Sequence, residues 1–172
     1  MERPWLDIIK HKKGLVGCEI GVKDGRHAQL ILETLDISKL YLIDTWDSFP
    51  TYTKRYVRSK KGLSFINCKS KLSKWRDKTV FINDFSENAH RLIQDGTLDF
   101  VYVDANHEKV YVKKDIELYW PKLKAGGLMA GHDYIEKWQG VIDAVTEFFG
   151  NNFEISNTGE KKFNREWWSC ND

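Results

Sequence analysis

Short apolar runs alternate with stretches of helical periodicity from one end of the chain to the other, the pattern of a doubly wound α/β sheet with helices on both faces. The first run, Gly14 to Ile20, is read as a strand. A helix follows from about Asp24, where Ala28, Ile31, Leu32 and Leu35 recur at i, i+3, i+4 and i+7 and so share one face. A second strand covers Leu40 to Thr45, and the basic, aromatic stretch from Trp46 to Lys78 is expected to hold one helix and an irregular loop. Thr79 to Ile82 is a third strand ending in Asn83-Asp84-Phe85-Ser86, with Ser86 placed to cap a helix that Gly96 closes. Asp99 to Val103 is the fourth. Val112, Ile116, Tyr119 or Trp120, and Leu123 give the next helix its buried stripe, with Pro121 marking a bend. Gly126-Gly127 opens a fifth strand, Leu128 to Gly131, and Val141, Ile142, Val145, Phe148 and Phe149 form another apolar helix face. The last runs, Phe153 to Ser156 and Glu166 to Ser169, lie close enough together for a terminal antiparallel pair. The expected sheet is therefore seven-stranded and mostly parallel.

Length adds that one domain, spanning 1–172, is expected, able to bury about 70% of the surface its unfolded chain exposes. Three cysteines, Cys18, Cys68 and Cys170, are an odd number without C-x-x-C spacing, which argues against a disulfide framework or a zinc ribbon. Met1 to Lys13 has no apolar run of signal-peptide length, and no stretch approaches the roughly 20 residues of a membrane span. A reduced, cytoplasmic protein with no membrane partner, monomeric or homodimeric, is the expectation. The net charge of +2 conceals an asymmetry: Lys54 to Lys78 holds ten basic residues against Asp77 alone, +9, so the remainder carries −7. Such a segment reads first as a solvated helix face and second as a landing surface for an anionic partner.

Candidate chemistry begins at Cys18-Glu19-Ile20-Gly21-Val22-Lys23-Asp24-Gly25, a glycine turn between the first strand and its helix, with Asp44 ending the second strand. An acid in that place is where α/β folds hold a ribose. The turn reads E-x-G-x-x-x-G, one glycine short of the G-x-G-x-x-G that lets backbone meet a pyrophosphate. A carboxylate ahead of the turn repels a pyrophosphate and attracts an α-ammonium group. The turn thus suits a cofactor with a cationic amino-acid end and an adenosine end better than NAD. Ionisable groups also follow the other strands: Asp84, Asp104, and His132 with Asp133. Asp favours turns for its own reasons, which accounts for any one of these; the set points to one site along the sheet edge.

Glu19-Ile20-Gly21-x-x-x-Gly25, Asp44, Asp84, Asp104 and Gly126-Gly127, with the runs Leu98 to His107 and Lys113 to Asp133, resemble the motif set of class I S-adenosylmethionine-dependent methyltransferases. The likeness spans about Gly14 to Phe149, is similar to a small bacterial and viral branch, and implies a Rossmann-like fold. It implies that Gly21 and Gly25 let backbone lie against the methionine portion and that Glu19 reaches its ammonium group. Asp44 would accept from both ribose hydroxyls. Asp84 would accept from the adenine amino group, with the backbone N–H of Phe85 or Ser86 available to a ring nitrogen. Trp46 is either an apolar wall to the adenine or a core or surface tryptophan.

In the catechol-type branch a divalent ion is held by the acid ending the fourth strand and two residues ending the fifth. Asp104, His132 and Asp133 occupy those places, and a histidine there departs from the usual Asp-Asn and favours ions softer than Mg²⁺. The alternative has His132 packing or capping while Asp133 meets substrate. His107 stands where that branch carries a basic lysine, and an imidazole near its ordinary pKa of about 6.5 can take a proton at neutral pH. His107 is the expected general base, an exposed loop histidine the alternative; His11, His27 and His90 read as surface residues.

The leading expectation is methyl transfer to oxygen on a small-molecule acceptor, with substrate selection by Met1 to Lys13, Trp46 to Lys78, the loop around Lys109 or a partner subunit. A nicotinamide-dependent dehydrogenase is the second reading. The third is a nucleic-acid-binding module, or nucleic-acid methyltransferase, using the basic segment, where Tyr52, Tyr56, Phe65 and Trp75 either stack on bases or belong to the core.

Overall fold

Seven strands form one sheet among the residues described by the computed structural model, 3–46, 63–156 and 165–171. They are β1 (Leu15–Ile20), β2 (Ile37–Asp44), β3 (Thr79–Asn83), β4 (Leu98–Val103), β5 (Leu123–Gly131), β6 (Glu154–Ile155) and β7 (Trp167–Asn171). Their order is β3-β2-β1-β4-β5-β7-β6. The first five are parallel, and β7 runs antiparallel to both β5 and β6. The chain starts mid-sheet, steps outward to β3 and returns to β4. Strand order therefore reverses between β1 and β4, and the carboxyl ends there flank a crevice.

Helices α1 (Pro4–Ile9), α2 (Arg26–Thr34), α3 (Leu63–Lys71), α4 (Ser86–Ala89), α5 (Lys109–Tyr119) and α6 (Gln139–Phe149) cover the two faces. Successive strand side chains point to opposite faces, and β4 divides accordingly. Phe100 and Tyr102 meet Trp5, Leu6 and Ile9 of α1 and Ala28, Ile31 and Leu32 of α2. Val101 and Val103 meet Val112, Ile116 and Tyr119 of α5 and Val141, Val145 and Phe149 of α6.

Four expectations change. The N-terminal segment is core rather than a substrate-selecting arm, because Trp5 is fully buried with its ring 5.4 Å from Phe100 and 5.2 Å from Tyr102. β5 begins at Leu123, not Leu128, because Leu123 pairs with Leu98 ahead of a register shift. The helix after β3 stops at Ala89, followed by a 3₁₀ turn over His90–Leu92, well short of Gly96. Ser86 is not its cap: the Ser86 hydroxyl donates to Asp115 Oδ1 at 2.5 Å. Pro121 does mark a change of geometry, lying in the 3₁₀ turn Trp120–Lys122. Tyr52, Tyr56 and the basic residues from Lys54 to Lys61 lie outside the described residues. No helix among those described is long and apolar enough to cross a membrane.

Candidate active site

The ends of β1 to β5 open into one cleft of about 870 Å³ whose walls include Glu19, Gly21, Asp44, Trp46, Asp84, Phe85, Asp104, His107, His132 and Asp133. Backbone bonds carry the sheet one residue past its ends: Gly21 N–H donates to Ile43 O, Asp104 N–H to Ile20 O and His132 N–H to Val103 O. The turn after β1 needs glycine at Gly21, where φ is +91° and a Cβ would sit 2.1 Å from Asp104 O. Gly25 differs from the expectation. It is absent from the cleft wall; with φ +75° it turns the chain into α2, its missing Cβ facing Cys68 Sγ at 2.7 Å.

Asp44 is fixed by backbone. Its Oδ2 accepts from Lys23 N–H and its Oδ1 from Trp46 N–H, both at 2.7 Å, which ties the end of β2 to the glycine turn. A carboxylate has about four acceptor positions, so two bonds leave room for more. Trp46 is chiefly a core residue, 5% exposed, with its ring 4.5 Å from Phe65 and its Nε1 donating to Lys23 O at 2.8 Å. Asp84 Oδ1 accepts from Phe85 N–H at 2.7 Å and from Asn88 Nδ2 at 2.9 Å, so it closes the first turn of α4 as well as facing the cleft.

At the β4 and β5 ends charged side chains meet one another. His107 Nε2 lies 2.7 Å from Asp133 Oδ2 and 3.9 Å from Asp104 Oδ1, and His132 Nδ1 lies 3.1 Å from Asp133 Oδ1. Trp138 stacks on His107, centroids 4.3 Å apart and planes 20° from parallel. Among the described residues, the atoms that gather tightly enough for one cation come from Asp104, His107 and Asp133, all within 4.8 Å of one another. His107 thus takes the place expected of His132, whose ring faces the other oxygen of Asp133.

A protein-family profile described as a methyltransferase domain matches residues 18–134, which hold this entire constellation. The chain belongs to that methyltransferase family. It is an S-adenosylmethionine-dependent methyltransferase, and the nicotinamide and pure nucleic-acid-module readings give way to that membership. No curated protein sequence matches the chain significantly. Among solved structures, a candidate methyltransferase from Streptococcus mutans in complex with SAH is 14% identical, TM-score 0.69, covering 99% of this chain and 98% of its own. An rRNA methylase from Streptococcus thermophilus is 14% identical, TM-score 0.68, covering 98% and 96%. A candidate caffeoyl-CoA O-methyltransferase from Staphylococcus aureus is 17% identical, TM-score 0.69, covering 100% and 85%. At these identities the likeness is one of fold.

Burial and pairing divide the acids of the methyltransferase. Burial pushes the Asp104 carboxyl up to about 6, against the opposing pull of His132, although its side chain keeps 31% exposure to the cleft. Burial would raise Asp133 too, but the hydrogen bonds of His107 and His132 hold it well below the usual carboxylate range. His132 is raised: burial lowers it, and Asp133 and Asp104 outweigh that. Two ionisable wall residues that the sequence did not single out have displaced pKa values. Asp115, on the buried stripe of α5, is pushed up to about 7 by burial, with Ser86 pulling the other way. His27, read as a surface residue, has a side chain only 10% exposed in the first turn of α2, with Nδ1 3.3 Å from Glu19 Oε1. Helical periodicity marked neither, since both depend on which strand end the helix overhangs.

Proposed function

We propose that the methyltransferase transfers a methyl group to a hydroxyl oxygen of a small-molecule acceptor, with His107 as general base. The observation that carries this reading is the 2.7 Å contact of His107 Nε2 with Asp133 Oδ2 across the carboxyl ends of β4 and β5, next to the reversal of strand order between β1 and β4.

The cleft fits the cofactor on three grounds. Its volume lies within the roughly 300–1,000 Å³ of small-molecule sites. Gly21 leaves backbone bare where a Cβ would collide with Asp104 O. Glu19 is 1% exposed, lines the cleft and keeps Oε2 without a partner among the described residues, as an acceptor for an ammonium group does. Asp44 serves the ribose, Trp46 borders the adenine side, and Asp84, whose Oδ1 takes up the Phe85 N–H, faces the ring edge.

S-adenosylmethionine, when bound, supplies the methyl group on a sulfonium leaving group. The protein's part is positioning and one proton transfer. Asp133 Oδ2 stands 2.7 Å from His107 Nε2, and that carboxylate favours the neutral ring's proton on Nε2, which leaves Nδ1 as the acceptor. Neither ring nitrogen completes a hydrogen bond among the described residues, which leaves Nδ1 unpaired. It takes the proton of the acceptor hydroxyl as that oxygen forms its bond to carbon, while Trp138 fixes the ring plane.

Asp104, His107 and Asp133 also fit a divalent ion: two carboxylates and an imidazole suit Mn²⁺ or Zn²⁺ better than Mg²⁺. Such an ion supplies Lewis acidity that lowers the acceptor's pKa. An ion on Nε2 removes His107 as a base, so the two uses exclude each other. A small acceptor is favoured over nucleic acid because three of the described basic residues already have partners within the chain, although Lys69 and Lys74 remain exposed. Lys71 lies 3.5 Å from Asp24 and Lys74 3.6 Å from Glu33, while Lys69 sits over Phe65 and Lys74 over Trp75. Neighbours of the same fold are described both as rRNA methylases and as a small-molecule O-methyltransferase.

The test is a labelled-methyl screen over phenols, sugars, small acids and RNA, with and without EDTA. Turnover on a hydroxyl acceptor that survives chelation and is lost in His107→Gln supports the base; turnover restored only by Mn²⁺ or Zn²⁺ replaces it with the metal. RNA as the sole acceptor overturns the small-molecule reading. SAH at a hundredfold excess over its dissociation constant should add about 2.7 kcal/mol, a melting rise of roughly 5 to 10 °C.

A further inference from the structure

A niche of about 10 Å³, the room of one water-sized sphere, opens off the cleft beneath the β4 and β5 ends. Asn106 and His107 line both spaces, Trp167 lines the niche, and Val103, Val112 and Val141 give it an apolar side. Those three polar side chains bring buried atoms without a hydrogen-bond partner among the described residues: Asn106 Nδ2, Trp167 Nε1 and His107 Nδ1. Asn106 is 7% exposed and Trp167 fully buried. Buried polar groups are almost always paired, so two donors and an acceptor around an oxygen-sized space point to an oxygen that belongs there.

The fold holds all three side chains. Asn106 Oδ1 accepts from Glu108 N–H at 2.8 Å, which fixes the amide and leaves Nδ2 as a donor. The loop carrying Asn106 and His107 is pressed by the start of α6, where a Cβ on Gly140 would lie 2.4 Å from His107 O and 2.5 Å from Lys109 N. Trp167 faces Gly131 across the β5–β7 pair, and a Cβ there would lie 2.6 Å from its Nε1. Asp133 stands 2.7 Å from His107 Nε2, the ring nitrogen that the niche reading does not use.

We propose that the niche seats the acceptor's hydroxyl oxygen, with Asn106 Nδ2–H and Trp167 Nε1–H donating to that oxygen while its proton goes to His107 Nδ1. This rests on the reading of His107 as general base and adds two catalytic donors to it. The hydroxyl proton moves to Nδ1, the oxygen keeps the electron pair of that bond, one of its lone pairs bonds the methyl carbon, and the C–S pair stays on the leaving sulfur. Donors fixed where negative charge develops stabilise it without reorganising. The same arrangement selects the element that is methylated. An oxygen stripped of its proton has one lone pair for the methyl carbon and two for the donors, whereas a neutral amine nitrogen has only the pair that attacks. A site built from two such donors therefore favours hydroxyl acceptors over amines.

The probes are phenol, 4-nitrophenol and aniline, with labelled-methyl turnover and SAH affinity measured for the wild type, Asn106→Ser and Trp167→Phe. Ser keeps an oxygen for Glu108 N–H and lacks Nδ2. Because Trp167 is fully buried, Asn106→Ser decides alone if Trp167→Phe does not fold. The expected result is a fall of about tenfold or more in kcat on phenol in either variant, with phenol KM and SAH affinity within about twofold. 4-Nitrophenol, already ionised in mildly alkaline buffer, should lose much less, and aniline should not be methylated by the wild type. Equal losses on both phenols, unchanged phenol turnover, or a parallel fall in SAH affinity overturns the inference. Phenol turnover that is lost in His107→Gln but kept in both donor variants leaves the base in place and removes the donors. Aniline methylated as well as phenol overturns the hydroxyl reading and this inference together. Transfer to none of the three overturns the inference, and the wider hydroxyl screen then judges the base reading.

Discussion

The two halves of the cleft are held by different kinds of bond. At the β1 and β2 ends the carboxylate of Asp44 is fixed by backbone N–H groups of Lys23 and Trp46, and Gly21 is confined by the backbone of Asp104. At the β4 and β5 ends Asp133 is fixed by two imidazoles, His107 and His132. Backbone amides do not titrate, so the donors that anchor this half persist at any working pH, although burial raises the Asp44 and Glu19 carboxyls there. The second half is built from groups that gain and lose protons, as a site for proton transfer must be. Substitutions should separate the halves: the first into binding, the second into turnover.

The largest expected effect is at His107. His107→Gln should lower turnover by about 10²–10⁴-fold while SAH affinity changes by less than about threefold; a parallel collapse of SAH affinity would merge the two halves. Next comes Gly21→Val, which puts a branched side chain at φ +91° against Asp104 O. It should remove measurable SAH binding, about 100-fold or more, and lower the melting point; near-normal affinity would mean that the turn relaxes freely. Asp44→Ala strips the acceptor from two backbone amides. About 10-fold weaker SAH binding is expected, with about 1–3 kcal/mol lost from stability, read by calorimetry and urea unfolding.

The smallest effect sharpens the contrast through pH. Asp115 is 4% exposed and has its pKa raised to about 7, so the folded state holds a proton that the unfolded chain releases near 4. Its favourable contribution is complete below pH 4 and is lost as pH rises through 7. Asp115→Asn keeps an acceptor for Ser86 and carries no charge. Urea midpoints should match the wild type at pH 4 and exceed it at pH 8; equal midpoints at both would assign the pH response elsewhere.

The sheet was legible because strand-length apolar runs and helical stripes are local signals. β1, β3 and β4 lie within a residue or so of their expected bounds. Helix length after β3 was not legible, because Ser86, a good cap by type, instead bonds Asp115 across the fold. Gly25 looked like part of the binding turn, and only its surroundings reveal that it faces Cys68 instead of the cleft. The acids at strand ends could be read as one site, since a parallel sheet aligns those ends. Their partners could not, since hydrogen-bond partners converge from different elements.

By itself the sequence determined the alternating architecture, the glycine turn with Glu19 and Asp44, and the gathering of Asp104, His107, His132 and Asp133 at one edge, all consequences of periodicity and of where strands stop. Only the tertiary structure decided how those groups pair: His107 rather than His132 closing the cluster with Asp104 and Asp133, and His27 set against Glu19. Pairing depends on distances of a few ångströms between residues far apart in the chain, and on the burial that makes an unpaired polar atom costly. Neither quantity is written in local spacing.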